Sequence, residues 1–411
     1  MRIGIFTDTY LPYVSGLVTS ELMLKNALES LGHEVFIVTA NLENFKFIKD
    51  GNVIKISGIP IGIYDARLTG IYSISAMNEI KKWKLDIIHS QTEFGIGTFA
   101  RIVSKRLNIP LVHTYHTLYE DYMHYITKGY FKRTGKKLVE YLSRFYCETT
   151  ATSLIVPSRK IYNLFKQKYN INKDINIIGT GIDIDRFDKN NFKKEDITKL
   201  KNELGINEKD FVIGSVSRLA KEKSIDRVIK TFETISKKIN NSKLLIVGDG
   251  PDLLELMDLA KSLNLSDKVI FTGKIPIEEV QIYYQLMDIY VTFSVTETQG
   301  LTVLEAMASS IPVLAINDSS FADSVIDKKN GFLFNTEEEY IEDVERLYND
   351  KILYKKLSEN SRKLSLNHSS IEFGKQVYKV YEETINNYNK NNFFGIVKDK
   401  INPFKNNKKD D

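Results

Sequence analysis

The chain has 411 residues, of which 42% are hydrophobic; this is enough for two or three domains with their own cores and is typical of a globular protein. Its 57 Lys and Arg residues face 53 Asp and Glu residues, and the net charge of +4 is too small to indicate nucleic-acid binding. The single cysteine, Cys147, excludes an internal disulfide framework and is typical of a reducing cytosol.

The N-terminal segment predicts a unit of strand, helix and strand. RIGIF and HEVFIVTA indicate strands, and apolar residues at helical spacing predict a helix over residues 18–31. Gly16 lies in the first loop, where a glycine either lets a ligand approach the backbone or relieves a tight turn. The start, MRIGIFTDTY, lacks the features of a signal peptide, and no run of about 18 apolar residues predicts a membrane span.

The pattern of strand and helix continues and then restarts. Strands are predicted at residues 86–89, 110–115 and 153–157, and a polar interval rich in Lys and Asn at 188–210 predicts a domain boundary. Five more strands are predicted behind it, in FVIGSVS, KLLIVGDG, KVIFTG, DIYVTFS and IPVLAIN. The alternation predicts two α/β halves with parallel sheets and a ligand site in the crevice between them.

Residues 112–125, VHTYHTLYEDYMHY, hold half of the six histidines. The candidate metal ligands there are His113, His116, Glu120, Asp121 and His124. The odd separation of the first two histidines sends them to opposite faces of a strand, and no H-E-x-x-H pattern is present, so we predict no metal site. Tyr115 and Tyr119 belong to a set of apolar residues at helical spacing, which is typical of core packing.

The next segment, residues 128–145, is basic and aromatic. Its cations include Lys128, Lys132, Arg133, Lys136 and Lys137. Such a stretch can lie in an anionic membrane interface, and the alternative is a solvated helix.

Two acids frame the stretch SVTETQGLTVLEAMASS. Glu297 follows a predicted strand, and Glu305 lies in the early turns of a helix that is predicted to begin near Thr302. Both can then face the crevice outside the carboxyl ends of the strands, where ligands bind in open α/β sheets. The N-terminus of that helix favours a phosphate.

Cations and glycines follow two other strands of the second half. Arg218 and Lys223 in SVSRLAKEKS could hold a diphosphate, and the alternative is a pair of solvated surface charges. Gly248 belongs to VGDGP, a glycine turn at a strand end that is not a G-x-G-x-x-G fingerprint, because Pro251 follows the second glycine.

Taken together, these features resemble the retaining glycosyltransferases of family GT4 over nearly the whole chain. Glu297 and Glu305 match the E-x7-E motif of the family, and SRLAKEKS resembles its phosphate-binding loop. The resemblance implies an α/β GT-B fold, with two Rossmann-like parallel-sheet domains facing a central cleft at residues 1–190 and 191–370. Residues 371–411 would form a C-terminal helix that returns to the first domain, and a basic tail.

The resemblance also implies roles for single residues. His116 would close the sugar site from the N-terminal domain and Glu297 would bind sugar hydroxyls, which makes these two the catalytic residues, while Glu305 would bind the ribose. The donor-binding residues would be Gly16, Arg218, Lys223, Gly248, Glu297, Gln299, Gly300, Leu301 and Glu305. The sequence departs from the family where SGLV has one glycine instead of two, which affects the donor loop, and where IGTGID lacks a Pro-Asn pair.

Within the family, SGLVTS, HTYHTLYEDY and the basic segment resemble the bacterial diacylglycerol glucosyltransferases. This implies a UDP-sugar donor, no bound cofactor, no metal requirement, and Tyr119, Glu120 and Asp121 near the hydroxyl of a diacylglycerol acceptor. It also implies a cytoplasmic enzyme on the anionic inner face of the cell membrane, with no nucleic-acid partner. The alternatives are a GT4 enzyme with another lipid or a soluble sugar as acceptor, and a nucleotide-sugar epimerase.

Overall fold

A computed structural model gives the fold and describes residues 1–13, 15–41, 46–60, 67–69, 73–93, 95–116, 140–141 and 143–401, with the backbone alone at 58–60, 67–69 and 390–401. The chain divides into two compact units. Unit 1 comprises Met1–Pro157, Tyr162–Ile178 and Phe373–Asp411, and unit 2 comprises Ser158–Ile161 and Gly179–Glu372.

Strands and helices alternate along the described chain. The strands are β1 (Arg2–Thr7), β2 (Glu34–Asn41), β3 (Ile48–Asp50), β4 (Val53–Pro60), β5 (Arg67–Thr69), β6 (Ile87–Ser90), β7 (Leu111–Thr114), β8 (Ser153–Val156), β9 (Ile175–Ile177), β10 (Phe211–Val216), β11 (Ser242–Val247), β12 (Val269–Phe271), β13 (Ile289–Thr292), β14 (Val313–Ile316) and β15 (Gly331–Phe334). The described α-helices are α1 (Gly16–Ser30), α2 (Ile74–Trp83), α3 (Gly95–Leu107), α4 (Arg159–Asn163), α5 (Lys194–Glu203), α6 (Ile225–Lys238), α7 (Leu253–Ser262), α8 (Val280–Tyr284), α9 (Leu301–Ala308), α10 (Glu337–Asn349), α11 (Lys351–Ser365) and α12 (Ser370–Ile401).

The sheet of unit 1 has the order β3-β4-β2-β1-β6-β7-β8-β9, with β5 paired to β4. The pairs of β4 with β3 and with β5 are antiparallel, and the other pairs are parallel. Ranked along the chain, its parallel strands follow the Rossmann order, which reverses between β1 and β6. The carboxyl ends of these two strands therefore form a crevice.

Both faces of this sheet are covered. Ile3 and Ile5 of β1 pack in one core cluster with Leu28 of α1 and Tyr381 of α12. Phe6, on the opposite face, packs in a second cluster with residues of α2 and α3. The alternation of side chains along a strand explains the two cores, and burial on both faces explains why the strands of this sheet read as nearly continuous apolar runs.

Unit 2 has the same design with a purely parallel sheet. Its strand order is β12-β11-β10-β13-β14-β15, again the Rossmann order, and it reverses between β10 and β13. Val212 and Ile213 of β10 point into different core clusters. The prediction of two Rossmann-like parallel-sheet domains is confirmed.

The boundary between the two units does not lie in the polar interval at 188–210, where the sequence predicted it. The chain leaves unit 1 after Ile178, ahead of that interval, and belongs to unit 1 again from Phe373. The interval itself contains α5, whose Ile197 and Leu200 pack against a core cluster of unit 2. The run of Lys and Asn is therefore the solvated face of a helix inside unit 2. None of the described helices is long and apolar enough to cross a membrane.

Candidate active site

The loops that carry the predicted donor residues meet at the carboxyl edge of the unit 2 sheet. Arg218 and Lys223 follow β10, and Glu297 and Gly300 follow β13. These two strands are neighbours in the sheet and flank the point where the strand order reverses. The topology of a parallel sheet therefore brings residues that are about 80 positions apart in the chain to one crevice.

Lys223 and Glu297 form an ion pair at this edge. The lysine Nζ donates to Glu297 Oε1 at 2.5 Å, and each side chain is 22% exposed. The ion pair is thus largely shielded from water, but a ligand can still reach it. Arg218 is exposed and adds a second cation close by along the same loop.

A cavity of about 420 Å³ lies next to Arg218. Its lining residues include Val216, Ser217, Arg218, Gly248, Asp249, Lys274 and Ile275. The cavity is large enough for a planar ring system of nucleobase size beside Arg218 and Lys274. No sequence pattern predicted a role for Lys274, because it lies in an ordinary loop after β12.

Two glycines are required by the backbone around this crevice. Gly300 is the N-cap of α9 with φ +78°, and a Cβ there would lie 2.6 Å from the ring of Phe321. Gly248 has φ +136°, and a Cβ there would lie 2.0 Å from the carbonyl oxygen of Ser217. Because α9 begins directly after Gly300, the first amide groups of the helix are presented at the same edge as Lys223.

Glu305 lies in α9 and is held by a buried tyrosine. Tyr284 donates its hydroxyl hydrogen to Glu305 Oε2 at 2.6 Å, and its ring is fully buried against Phe187 and Tyr290. Burial raises the pKa of the Glu305 carboxyl to about 7, although the Tyr284 hydrogen bond and the charge of Arg186 oppose this shift. The carboxyl therefore changes its charge close to neutral pH.

Gln299 has a structural role that its sequence position did not suggest. Its side chain is only 6% exposed, accepts from the Thr180 N–H at 2.7 Å and donates to the Thr180 carbonyl at 2.9 Å. The resemblance assigned this residue to donor binding. The side chain itself links the loop before α9 to Thr180 of unit 2.

In unit 1, Gly16 is the first residue of α1, and its neighbour Ser15 caps the helix by accepting from the Val18 N–H. A Cβ on Gly16 would meet no atom of the described residues within 4 Å. The fold therefore does not require a glycine there. The space beside Gly16 is compatible with a ligand at the N-terminus of this helix, and the donor-binding role of Gly16 stays a prediction.

Three histidines of unit 1, His89, His113 and His116, lie in or directly after β6 and β7. His113 is fully buried in β7, where Nε2 is 3.2 Å from Glu93 Oε1 and Nδ1 is 3.0 Å from the Ser90 carbonyl oxygen. Burial lowers the pKa of His113 in spite of Glu93. His116 lies beyond the end of the strand, part-buried, with Nε2 2.5 Å from Gln91 Oε1.

Tyr115, between these histidines, is fully buried and packs edge-on against Phe165. Its prediction as a core residue is confirmed. Among the described residues, no group of three or more His, Cys, Asp or Glu side chains is arranged to hold a metal.

The predicted acceptor and membrane residues lie outside the described residues. They are Tyr119, Glu120, Asp121, Lys128, Lys132, Arg133, Lys136 and Lys137.

Comparison with protein families gives two matches that together cover most of the chain. The model of glycosyltransferase family 4 matches residues 14–186, and the model of glycosyl transferases group 1 matches residues 196–364. The chain is 37% identical over 394 residues to the alpha-monoglucosyldiacylglycerol synthase of Streptococcus pneumoniae, which covers 95% of this chain and 88% of that protein. It is 36% identical over 396 residues to the enzyme of the same name from Acholeplasma laidlawii, covering 95% and 99% of the two chains.

Solved structures resemble the fold at lower sequence identity. A crystal structure of Anabaena HepE in complex with UDP-glucose superposes with a TM-score of 0.69 at 19% identity, over 93% of this chain and all of that chain. A glycosyltransferase from Rickettsia africae gives a TM-score of 0.71 at 18% identity. These neighbours have the GT-B fold, as the sequence predicted.

Proposed function

Because the chain belongs to family GT4 of the glycosyltransferases and is a hexosyltransferase, we propose that it moves a hexose, glucose in the first instance, from a UDP-sugar to the 3-hydroxyl of 1,2-diacylglycerol. The observation that carries the donor part is the meeting of Lys223, Glu297 and Glu305 at the reversal point of the unit 2 sheet. The acceptor part is supported by the names of the two relatives that are 36% and 37% identical.

The donor is divided among three groups of contacts in this proposal. The ribose hydroxyls donate to the Glu305 carboxylate, which its tyrosine partner holds in place. The diphosphate lies between Arg218, Lys223 and the amide groups at the start of α9. Glu297 accepts hydrogen bonds from the hydroxyls of the sugar, and its lysine partner holds that carboxylate in position.

The demanding step is departure of the nucleoside diphosphate. As the bond between the anomeric carbon and the phosphate oxygen breaks, negative charge grows on the β-phosphate, and Arg218 and Lys223 are aimed at that charge before it develops. In the proposed retaining reaction the acceptor oxygen bonds to the anomeric carbon on the same face, and its proton passes to the departing phosphate oxygen. This chemistry needs no metal ion and no covalent intermediate on a carboxylate.

His116 is proposed to complete the sugar site from unit 1. Burial lowers its pKa to about 4, so the ring is neutral at physiological pH. A neutral imidazole suits hydrogen bonding to a sugar hydroxyl, whereas an imidazolium would pair with phosphate. Gly16 is proposed to let the donor approach the start of α1.

The acceptor is proposed to enter from an anionic membrane surface. Tyr119, Glu120 and Asp121 would contact the diacylglycerol, and the basic residues between 128 and 137 would attract acidic lipid headgroups. The proposed location is the cytoplasmic face of the cell membrane.

Transfer of radiolabelled glucose from UDP-glucose to 1,2-diacylglycerol in mixed micelles, with and without anionic lipid, tests this function. We expect a labelled glycolipid whose yield rises with anionic lipid. Release of free glucose alone would overturn the acceptor assignment and leave the donor site, and conversion of UDP-glucose into another UDP-sugar would indicate an epimerase. Intact UDP-glucose would overturn the assignment of the donor.

A further inference from the structure

A chain of buried hydrogen bonds runs from His116 into the interior of unit 1. Its first member is Gln91, which follows β6, is only 3% exposed and places Oε1 2.5 Å from His116 Nε2. The Gln91 backbone is fixed as well, because its N–H donates to the carbonyl of Phe6 at the end of β1. This side chain therefore has little freedom to leave His116.

The other end of the Gln91 amide meets His89. Gln91 Nε2 lies 3.2 Å from Nδ1 and 3.3 Å from Nε2 of that ring, and two such similar distances place it over the ring face. The in-plane positions of the ring are taken by hydroxyls: Tyr381 at 2.6 Å from Nδ1 and Thr114 at 2.7 Å from Nε2. His89 is thus clamped from both edges.

This packing sets the orientation of the Gln91 amide. The face of an aromatic ring is electron-rich, so it attracts the NH₂ group and repels the carbonyl oxygen. The oxygen must then point to His116. An amide oxygen can only accept a hydrogen bond, so His116 Nε2 must be the donor.

Charges near the ring do not disturb this arrangement. Among the described residues, the titratable groups that act on His116 are Glu93 and His113, and His116 in turn acts on His89. Burial lowers the pKa of all three histidines, and most strongly that of His89. The network therefore consists of neutral imidazoles at physiological pH.

We infer that Gln91, His89 and Tyr381 are positioning residues that fix His116 as the Nε2–H tautomer and leave its Nδ1 atom as a hydrogen-bond acceptor for a sugar hydroxyl. The inference rests on the proposed function, in which His116 faces the donor sugar. Nδ1 of His116 has no hydrogen bond to any residue that the structure describes. Tyr381 lies on α12 and is 292 positions from His89, so the C-terminal helix takes part in setting the site.

The tautomer can be measured directly in the full-length chain. Long-range ¹H–¹⁵N spectra of protein labelled in its histidine rings distinguish the two tautomers, and His116→Asn assigns the signal. We expect Nε2–H in the wild type and a mixture of tautomers in Gln91→Leu. An Nδ1–H tautomer in the wild type, or no change in Gln91→Leu, would overturn the inference whether or not the protein transfers glucose.

Kinetic measurements test whether the hydrogen bonds from Gln91 to Tyr381 affect the reaction. Tyr381→Phe should lower kcat about threefold and Gln91→Leu about tenfold, with little change in KM for UDP-glucose, because one hydrogen bond is worth up to about one power of ten. In a His116→Ala background both changes should have no further effect, since the group that they position is gone.

Tyr388→Phe is the matched control. Tyr388 lies on the same helix, and its hydroxyl donates to Asn108 Oδ1 at 2.9 Å, directly after α3, instead of bonding to His89. We expect wild-type kcat for it. Equal losses in Tyr388→Phe and Tyr381→Phe, or additive losses in the His116→Ala background, would show a merely structural role. A wild type without transfer would remove the proposed function, and the tautomer would still decide the inference.

Discussion

The hydrogen bond from Tyr284 to Glu305 should set the pH at which the protein binds its nucleotide. If the ribose hydroxyls donate to Glu305, the ionised carboxylate is the form that binds, and its pKa of about 7 makes affinity fall as pH drops through neutrality. Binding should also release the proton from molecules that carry it, which is about half of them at pH 7.

Tyr284→Phe removes the donor and retains the buried ring between Phe187 and Tyr290. A hydrogen bond to a charged group contributes about 1.5 kcal/mol or more, which corresponds to roughly one pKa unit. With the pKa near 8, about one molecule in ten is ionised at pH 7. UDP-glucose should then bind about fivefold more weakly at pH 7, and nearly as well as to the wild type at pH 9.

Isothermal titration of UDP-glucose between pH 6 and 9, in two buffers of different ionisation enthalpy, measures both affinity and proton release. UDP-glucose is suitable because the sugar caps the terminal phosphate, which would otherwise titrate near pH 6. Tyr290→Phe is the matched control, since that hydroxyl bonds to Thr302 at 2.7 Å instead of Glu305. An unchanged midpoint in Tyr284→Phe, or an equal shift in Tyr290→Phe, would refute the reasoning.

Two further substitutions test the donor crevice. Lys223→Ala should lower kcat by roughly 100-fold, because it removes a cation at the leaving group. The free energy of unfolding should change by less than about 1 kcal/mol, because the ion pair with Glu297 is part-exposed. Transfer assays and urea unfolding measure the two quantities, and a normal kcat would contradict the assignment of Lys223. Gln299→Leu should lower the free energy of unfolding by about 1–3 kcal/mol, because it removes two buried hydrogen bonds between the Gln299 side chain and the Thr180 backbone. An unchanged midpoint of urea unfolding would contradict the structural role of Gln299.

The sequence was most informative where polar or charged residues directly follow an apolar run that predicts a buried strand. Buried parallel strands are short apolar runs, so β1, β2, β10 and β13 were legible, and the polar residues directly after them marked the crevice. The strands that were missed are β3, β4, β5, β9 and β15. Four of them have three or four residues, and the eight-residue β4 interrupts its apolar run with Lys55, Ser57 and Gly58. Their place in a sheet is decided by neighbouring strands, which local periodicity does not report.

The partners of the site residues were beyond local patterns for a different reason. His116 was predicted as a site residue from its resemblance to the family, but its hydrogen-bond partner Gln91 is 25 positions away, and the hydrogen bonds continue to Tyr381 on the last helix. No motif surrounds Gln91 or Tyr381 in the sequence, and β6, β7 and α12 come together only in the folded unit. The chemistry of a site can thus be legible in a motif while the tautomer that makes it effective is decided by tertiary packing.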